Sequence, residues 1–305
     1  MDDSSHHMQC MEVWGGNQTA DSGVVMAGLD AWVYSKPFGG ADGGGDVYYV
    51  SSCATGRIVR LLVADVSGHG AKVAQVATGL RTLMRKHVNQ IDQTRFVRSM
   101  NEQFVALSSA GSFATALVTT FFAPTNSLSL CNAGHPPPLR YRAASRRWEF
   151  LEHKAMAEST EPGNVPLGVL DMTQYDQFDV RLKVGDVVLC YTDSLVEARD
   201  AGGDMLGTQG LLDLVRTLDM TDPAHLVSQL LSKVETRCGQ KLCDDDVTVL
   251  MFRPNGLAPN TPLKARFLAP FRILRSFAWP DWNLANIGGA IFSPLNKRWA
   301  KQREL

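Results

Sequence analysis

The chain has 305 residues, of which 45% are apolar and 20% charged, with a formal net charge of −1. That length buries a sizeable core without covalent staples, and the composition is that of an ordinary globular domain, which excludes fibrous and low-complexity classes. The near-neutral balance leaves no broad basic field for nucleic acid.

Residues 1–24 are polar and irregular in pattern apart from Met11, Val13 and Trp14, and read as an N-terminal arm. No basic region followed by an apolar stretch opens the chain, so no signal peptide is visible and a cytoplasmic location is expected. From residue 25 to 253 apolar runs and turn signals alternate without a linker, which predicts a single domain of catalytic size. Val47–Ser52 and Ile58–Ala64 read as strands around the turn Ala54-Thr55-Gly56-Arg57. Val73, Val76, Ala77, Leu80, Leu83, Met84 and His87 then form one helical stripe, and Phe96, Val97, Met100, Phe104 and Leu107 a second. Gln103 to Leu139 carries no charge, yet its Ser, Thr, Asn, Gly and Pro would be unsatisfied in a bilayer; strands at Ala116–Phe122 and Ser127–Asn132 explain it. Val187–Thr192, a helix over Pro223–Cys238 and Val247–Phe252 follow. Strands in runs, with helices inserted between them, predict an α+β sandwich.

Residues 254–305 differ. Leu257–Leu305 holds eight Lys or Arg against two acids, seven aromatic residues, and prolines at 259, 262, 270, 280 and 294 that prevent a long helix. This basic, aromatic extension suits packing on the domain surface, docking to an acidic protein, or peripheral contact with anionic lipid. The six cysteines are scattered and read as reduced; Cys238 and Cys243 lack the paired knuckles of a zinc ribbon.

The carboxylates carry the chemistry. In a hairpin that pairs Val47 with Ala64, Asp46 stands directly opposite Asp65. Two facing carboxylates repel unless a cation lies between them. Asp193 ends the run Val187–Thr192 and Asp245 precedes Val247–Phe252, so antiparallel pairing of those strands puts both on one rim. Asp186, Asp244 and Asp246 are nearby in sequence and are candidates to support them. An all-oxygen set selects Mg²⁺ or Mn²⁺, and two such ions can hold a hydroxide and neutralise a phosphoryl group, so hydrolysis of a phosphomonoester is the expected outcome.

Six segments in order, Gly44-Gly45-Asp46, Asp65-Val66-Ser67-Gly68-His69-Gly70, Asn132-Ala133-Gly134-His135-Pro136, Pro166-Leu167-Gly168-Val169, Tyr191-Thr192-Asp193 and Asp245-Asp246-Val247-Thr248, resemble the PPM-type metal-dependent protein phosphatases. The likeness is greatest to the bacterial branch of the stage II sporulation and sigma-factor regulatory phosphatases. It implies a four-layer α/β/β/α sandwich of two antiparallel sheets flanked by helix pairs. It further implies that Asp46, Asp65, Asp193, Asp245 and the carbonyl of Val66 hold two Mn²⁺ or Mg²⁺, with the four aspartates acting through the metals. The implied substrate is phosphoserine or phosphothreonine in a regulatory partner such as an anti-sigma factor antagonist.

One position departs from the family pattern, where glycine usually follows the aspartate of the Thr-Asp motif and this chain has Ser194. If that position required φ > 0, serine would cost roughly 1 kcal/mol. That departure, with the aromatic tail, motivates a rival reading as a catalytically weak pseudophosphatase that binds a partner. His69 and His135 are read as parts of structural turns more than as general acids. Arg57, Arg60 and Lys72 are read as solvated residues more than as phosphate clamps.

Overall fold

The computed structural model of the chain describes residues 10–53, 55–68, 70–90, 92–108, 111–152, 164–171, 173–200, 202–239, 242 and 245–257. All of them belong to one unit, Met1–Asn260; the second, Thr261–Leu305, lies outside the described residues, and so do His69, Asp244 and nearly all of the basic extension.

Two six-stranded antiparallel sheets organise the described chain. The first runs β1 (Cys10–Gly16), β4 (Asp46–Cys53), β5 (Ile58–Val66), β6 (Ala114–Phe122), β7 (Ser127–Ala133), β10 (Gln177–Arg181). The second runs β2 (Ala20–Met26), β3 (Leu29–Lys36), β12 (Val247–Pro254), β11 (Val187–Tyr191), β8 (Leu139–Arg142), β9 (Arg147–Phe150). Helices α1 (Ala71–His87) and α2 (Gln93–Leu107) cover the first sheet, and α3 (Ser194–Glu197), α4 (Gly207–Val215) and α5 (Leu226–Cys238) pack with the second.

Strand periodicity explains the layering, because successive side chains point to opposite faces of a sheet. Along β5, Val59, Leu61 and Val63 enter the core between the sheets, while Leu62, Ala64 and Val66 pack under α1 and α2. Along β12, Leu250 and Phe252 face the inter-sheet core, and Val247, Val249 and Met251 face the helices of the other side. Both strands are therefore apolar on both faces, as a strand sandwiched between two layers must be. Each fully buried Leu, Val or Phe in these layers contributes on the order of 2 kcal/mol. The expected four-layer α+β sandwich is the observed fold.

The α1 stripe is buried at Ala77, Leu80 and Met84, and α2 starts where the Asp92 side chain accepts from the backbone N–H groups of Thr94 and Arg95. Three expectations need correction. Residues 10–24 are not an irregular arm: Cys10–Gly16 pairs with β4 and Ala20–Met26 with β3, and their backbone ladders compensate for a weak apolar pattern. Pro223–His225 is a separate 3₁₀ turn, so the helix expected from Pro223 begins at Leu226. Arg60 is not solvated; it is 2% exposed, donates to the carbonyl of Gln90 and lies 5.2 Å from the Phe96 ring centre. Among the described residues, no helix is long and apolar enough to cross a membrane.

Candidate metal centre

The β4–β5 ladder pairs Asp46 with Asp65, the register read from the sequence. The second sheet brings its own acids to the same rim: β11 ends at Tyr191 and leads through Thr192 into Asp193, while Asp245 and Asp246 lead into β12. Tyr191 pairs with Val249, and the Thr192 N–H continues the ladder to the Thr248 carbonyl at 3.0 Å.

Asp46 is 3% exposed, and its carboxylate accepts the Thr192 hydroxyl at 2.8 Å. The Thr192 oxygen in turn accepts the Thr248 N–H at 2.9 Å, and the Thr248 hydroxyl shares a hydrogen bond with Ser35 at 2.9 Å. A row of hydroxyls thus carries the position of β3 and β12 through to Asp46. The Asp246 carboxylate fastens the preceding loop, accepting the N–H of Phe38 at 2.6 Å and the N–H of Gly45. A Cβ on Gly44 would fall 2.3 Å from Asp246 Oδ1, and one on Gly45 would fall 2.8 Å from the Val66 carbonyl. Glycines occupy both positions because backbone and carboxylate pass too close for a side chain.

The rim is strongly negative. Burial, followed by the charges of Asp193, Asp245, Asp246 and Glu197, raises the Asp65 pKa to about 7. Burial, Glu197 and Asp245 raise Asp193 to about 6. Burial first, then Asp65, pushes Asp46 well above the ordinary carboxylate range against the pull of the Thr192 and Thr248 hydrogen bonds. Acids that raise one another in this way form a site suited to cations, and their oxygens suit hard ones. Among the described residues, no group of three or more His, Cys, Asp or Glu is already arranged to hold an ion. The residues fit a cation by charge and donor type, and Asp245, exposed just ahead of β12, is the ligand candidate most open to solvent.

Asp186 does not join this rim. It pairs with Arg140 at 2.6 Å and accepts from the backbone N–H groups of Ala143 and Lys183, closing a turn elsewhere in the second sheet. Arg60 sits five residues from Asp65 along β5, about 17 Å at strand rise. Ser194 opens α3 in helical conformation and is not among the positive-φ residues, so the strain anticipated for a non-glycine there is absent. Its hydroxyl lies 3.5 Å from that of Thr192. His135 is buried and shares a 2.8 Å hydrogen bond with Thr115, while its backbone N–H donates to Asn132 Oδ1 and its carbonyl accepts from Asn132 Nδ2, closing a turn; burial lowers its pKa to about 3. It is a neutral structural group. Thr192, Thr248, Glu197 and Asn17, which clamps Gly44 and Ala74, were not singled out from the sequence. Their place inside the Tyr191-Thr192-Asp193 and Asp245-Asp246-Val247-Thr248 segments was the available signal for the two threonines.

A profile of the family described as "Stage II sporulation protein E (SpoIIE)" matches residues 55–255. The chain is similar to the phosphoserine phosphatase RsbU of Bacillus subtilis (strain 168), with 23% identity over 146 residues. That match covers 48% of this chain and 41% of the relative, so the chain spans less than half of that protein. Among solved structures, the RsbU and RsbW domains of Rv1364c from Mycobacterium tuberculosis share 24% identity at a TM-score of 0.61, covering 86% of this chain and 72% of that one. The PP2C phosphatase domain of SpoIIE from Bacillus subtilis, solved with a fragment of its regulatory domain, shares 19% at a TM-score of 0.62, covering 74% and 63%. RsbX in complex with magnesium shares 13% at a TM-score of 0.55, covering 77% and 100%. These likenesses carry the fold.

Proposed function

The chain belongs to the SpoIIE family, and from that membership we propose that it is a metal-dependent phosphatase that removes phosphate from serine or threonine in a regulatory partner protein. The observation that carries the reading is the facing pair Asp46 and Asp65, joined at one rim by Asp193, Asp245 and Asp246. Asp46, Asp65, Asp193, Asp245 and the Val66 carbonyl would hold two Mg²⁺ or Mn²⁺. Such ions supply Lewis-acid activation of water and neutralise charge on the phosphoryl oxygens.

The chain's own residues do the rest. Thr192 fixes one oxygen of Asp46, so its carboxylate is oriented before any ligand arrives. Asp246 holds the Gly44–Gly45 backbone against the rim, which keeps Asp46 and the Val66 carbonyl in a fixed relation. Asp65 and Asp193 hold their protons more tightly than ordinary carboxylates, and cations compete with those protons, so cation affinity rises with pH. His135 is buried and neutral and takes no proton near neutral pH. The likeness to a phosphoserine phosphatase supports a phosphoserine-bearing protein as substrate, and an anti-sigma factor antagonist is the type that the family resemblance implies. The strain at Ser194 that would favour a weak pseudophosphatase is not present.

The test is hydrolysis of p-nitrophenyl phosphate and of a phosphoserine peptide with and without Mn²⁺. Asp193→Ala should lose nearly all of the Mn²⁺-dependent rate. Equal rates in the two proteins, or a rate indifferent to chelator, would sink the proposal.

A further inference from the structure

The β8–β9 hairpin is unusually rich in arginine. Arg142 and Arg147 stand directly opposite each other in its register, and Arg146, in the connecting turn, holds a left-handed φ of 51°. Two like charges in opposed positions cost stability unless something negative lies near them. Glu149 pairs with Arg142 and so answers one of the two.

Beside the hairpin lies a cavity of about 520 Å³. Arg146 and Arg147 reach it from the hairpin, and Arg216 from the end of α4. Tyr141 and Trp148, paired across the strands with ring centres 5.5 Å apart, and the buried Leu218 supply its apolar wall. None of the described lining residues is acidic. Asp213 pairs with Arg216 at 2.7 Å, but both side chains are more than half exposed, and an exposed pair of this kind is weak enough to exchange partners. Glu149, already paired with Arg142, and Asp219 and Asp222 are the further acids close in sequence to the wall.

We propose that this cavity binds a nucleoside phosphate, with Arg146, Arg147 and Arg216 on the phosphates and the Tyr141–Trp148 wall against the base. Guanidinium groups match phosphate oxygens in paired hydrogen bonds and also stack on flat rings. The cavity is far larger than a bare phosphate needs and falls within the size range of sites for ligands with an organic body. Charge complementarity selects the phosphate; the aromatic wall selects what is attached to it. The cavity is also remote from the carboxylate rim. Tyr141 pairs with Val187 at one end of β11, and Asp193 lies beyond the other end at Tyr191, itself about 13 Å away at strand rise. The site is therefore distinct from the metal centre and does not depend on the phosphatase reading.

The experiment titrates the full chain, in EDTA so that the rim cannot recruit a nucleotide through a metal, with AMP, ATP, tripolyphosphate and adenosine, followed by calorimetry and by the shift in melting temperature. ATP or AMP should bind measurably, adenosine and tripolyphosphate each at least roughly 10-fold more weakly, and the double variant Arg147→Gln/Arg216→Gln should weaken ATP by roughly 10-fold or more. Tyr141→Leu should weaken ATP while leaving tripolyphosphate unchanged. The melting temperatures of the unliganded variants report whether they fold, and Tyr141, Arg147 and Arg216 are away from the rim, so metal-induced stabilisation should persist. The proposal is overturned by no nucleotide binding, by equal binding of tripolyphosphate and ATP, or by an arginine variant that binds ATP as wild type does. Binding of poly-glutamate but not of nucleotide would overturn it in favour of an acidic protein segment.

Discussion

The Thr192 hydroxyl, at the end of one sheet, donates at 2.8 Å to the carboxylate of Asp46, the first residue of a strand in the other. Both groups are almost fully buried, so this bond positions a candidate ligand and joins the two sheets at the rim.

Thr192→Val keeps the shape and removes the donor. It should cost about 1–3 kcal/mol of stability, because Asp46 is left buried without that partner, and it should weaken Mn²⁺ binding. Thr192→Ser should retain most of both. Denaturant unfolding with and without Mn²⁺ measures the two effects.

Asp65→Asn removes one charge from a crowd of acids. In chelator the variant should be at least as stable as wild type, since its neighbours raise its pKa and no cation repays them. Adding Mn²⁺ should stabilise wild type and not the variant. A variant that is destabilised in chelator and still stabilised by Mn²⁺ would count against a role for Asp65 at the metal.

Metal-free stability should fall as pH rises. Asp65 and Asp193 have folded pKa values of about 7 and about 6, above the unfolded value of 3.8. Their contribution is therefore fully present below pH 3.8 and is lost as pH climbs through about 7. Thermal melts of wild type and of the Asp65→Asn/Asp193→Asn double variant in EDTA isolate this contribution; the difference between them should grow across that window and shrink in excess Mn²⁺.

His135 works in the opposite direction. Its folded pKa of about 3 lies below the ordinary 6.5, so the unfolded chain takes up a proton that the folded chain refuses. Stability from this group is intact above pH 6.5 and declines as pH falls toward 3, by on the order of a few kcal/mol at the acid end. His135→Gln should flatten that acid limb relative to wild type in urea titrations at successive pH values.

Gly44→Ala should be among the most damaging single substitutions at the rim. The added methyl would meet Asp246 Oδ1 at 2.3 Å, forcing apart the carboxylate and the loop it fastens. A loss of about 2 kcal/mol or more and a marked drop in Mn²⁺ affinity are expected, while Gly39→Ala, with open space around it, should perturb stability only through its left-handed backbone.

The rim was legible in the sequence where strands are long and apolar. The facing of Asp46 and Asp65 follows from one hairpin, whose register is set by the position of its turn. The β1, β2, β3, β8, β9 and β10 strands were not read from the sequence: β2 is exposed along much of its length, β8 and β9 are short and arginine-rich, and β1 and β10 join the first sheet only by pairing with the distant strands β4 and β7. Asp186 was misplaced for the same kind of reason. Proximity to β11 in sequence put it near the rim, whereas its ties to Arg140, Ala143 and Lys183 put it in a turn at the other end of that strand. The bearing of Thr192 on Asp46 spans 146 positions, a relation no local pattern encodes.

Because the acids of the rim come from both sheets, the spacing between any two of them is also a measure of how the sheets sit on each other. A small slide of one sheet over the other would be felt first as a change in the distance an ion must bridge. Filling the rim with cations is then equivalent to inserting a strut between the two halves of the sandwich, and a partner that shifts either sheet would tune the chemistry without touching a single carboxylate.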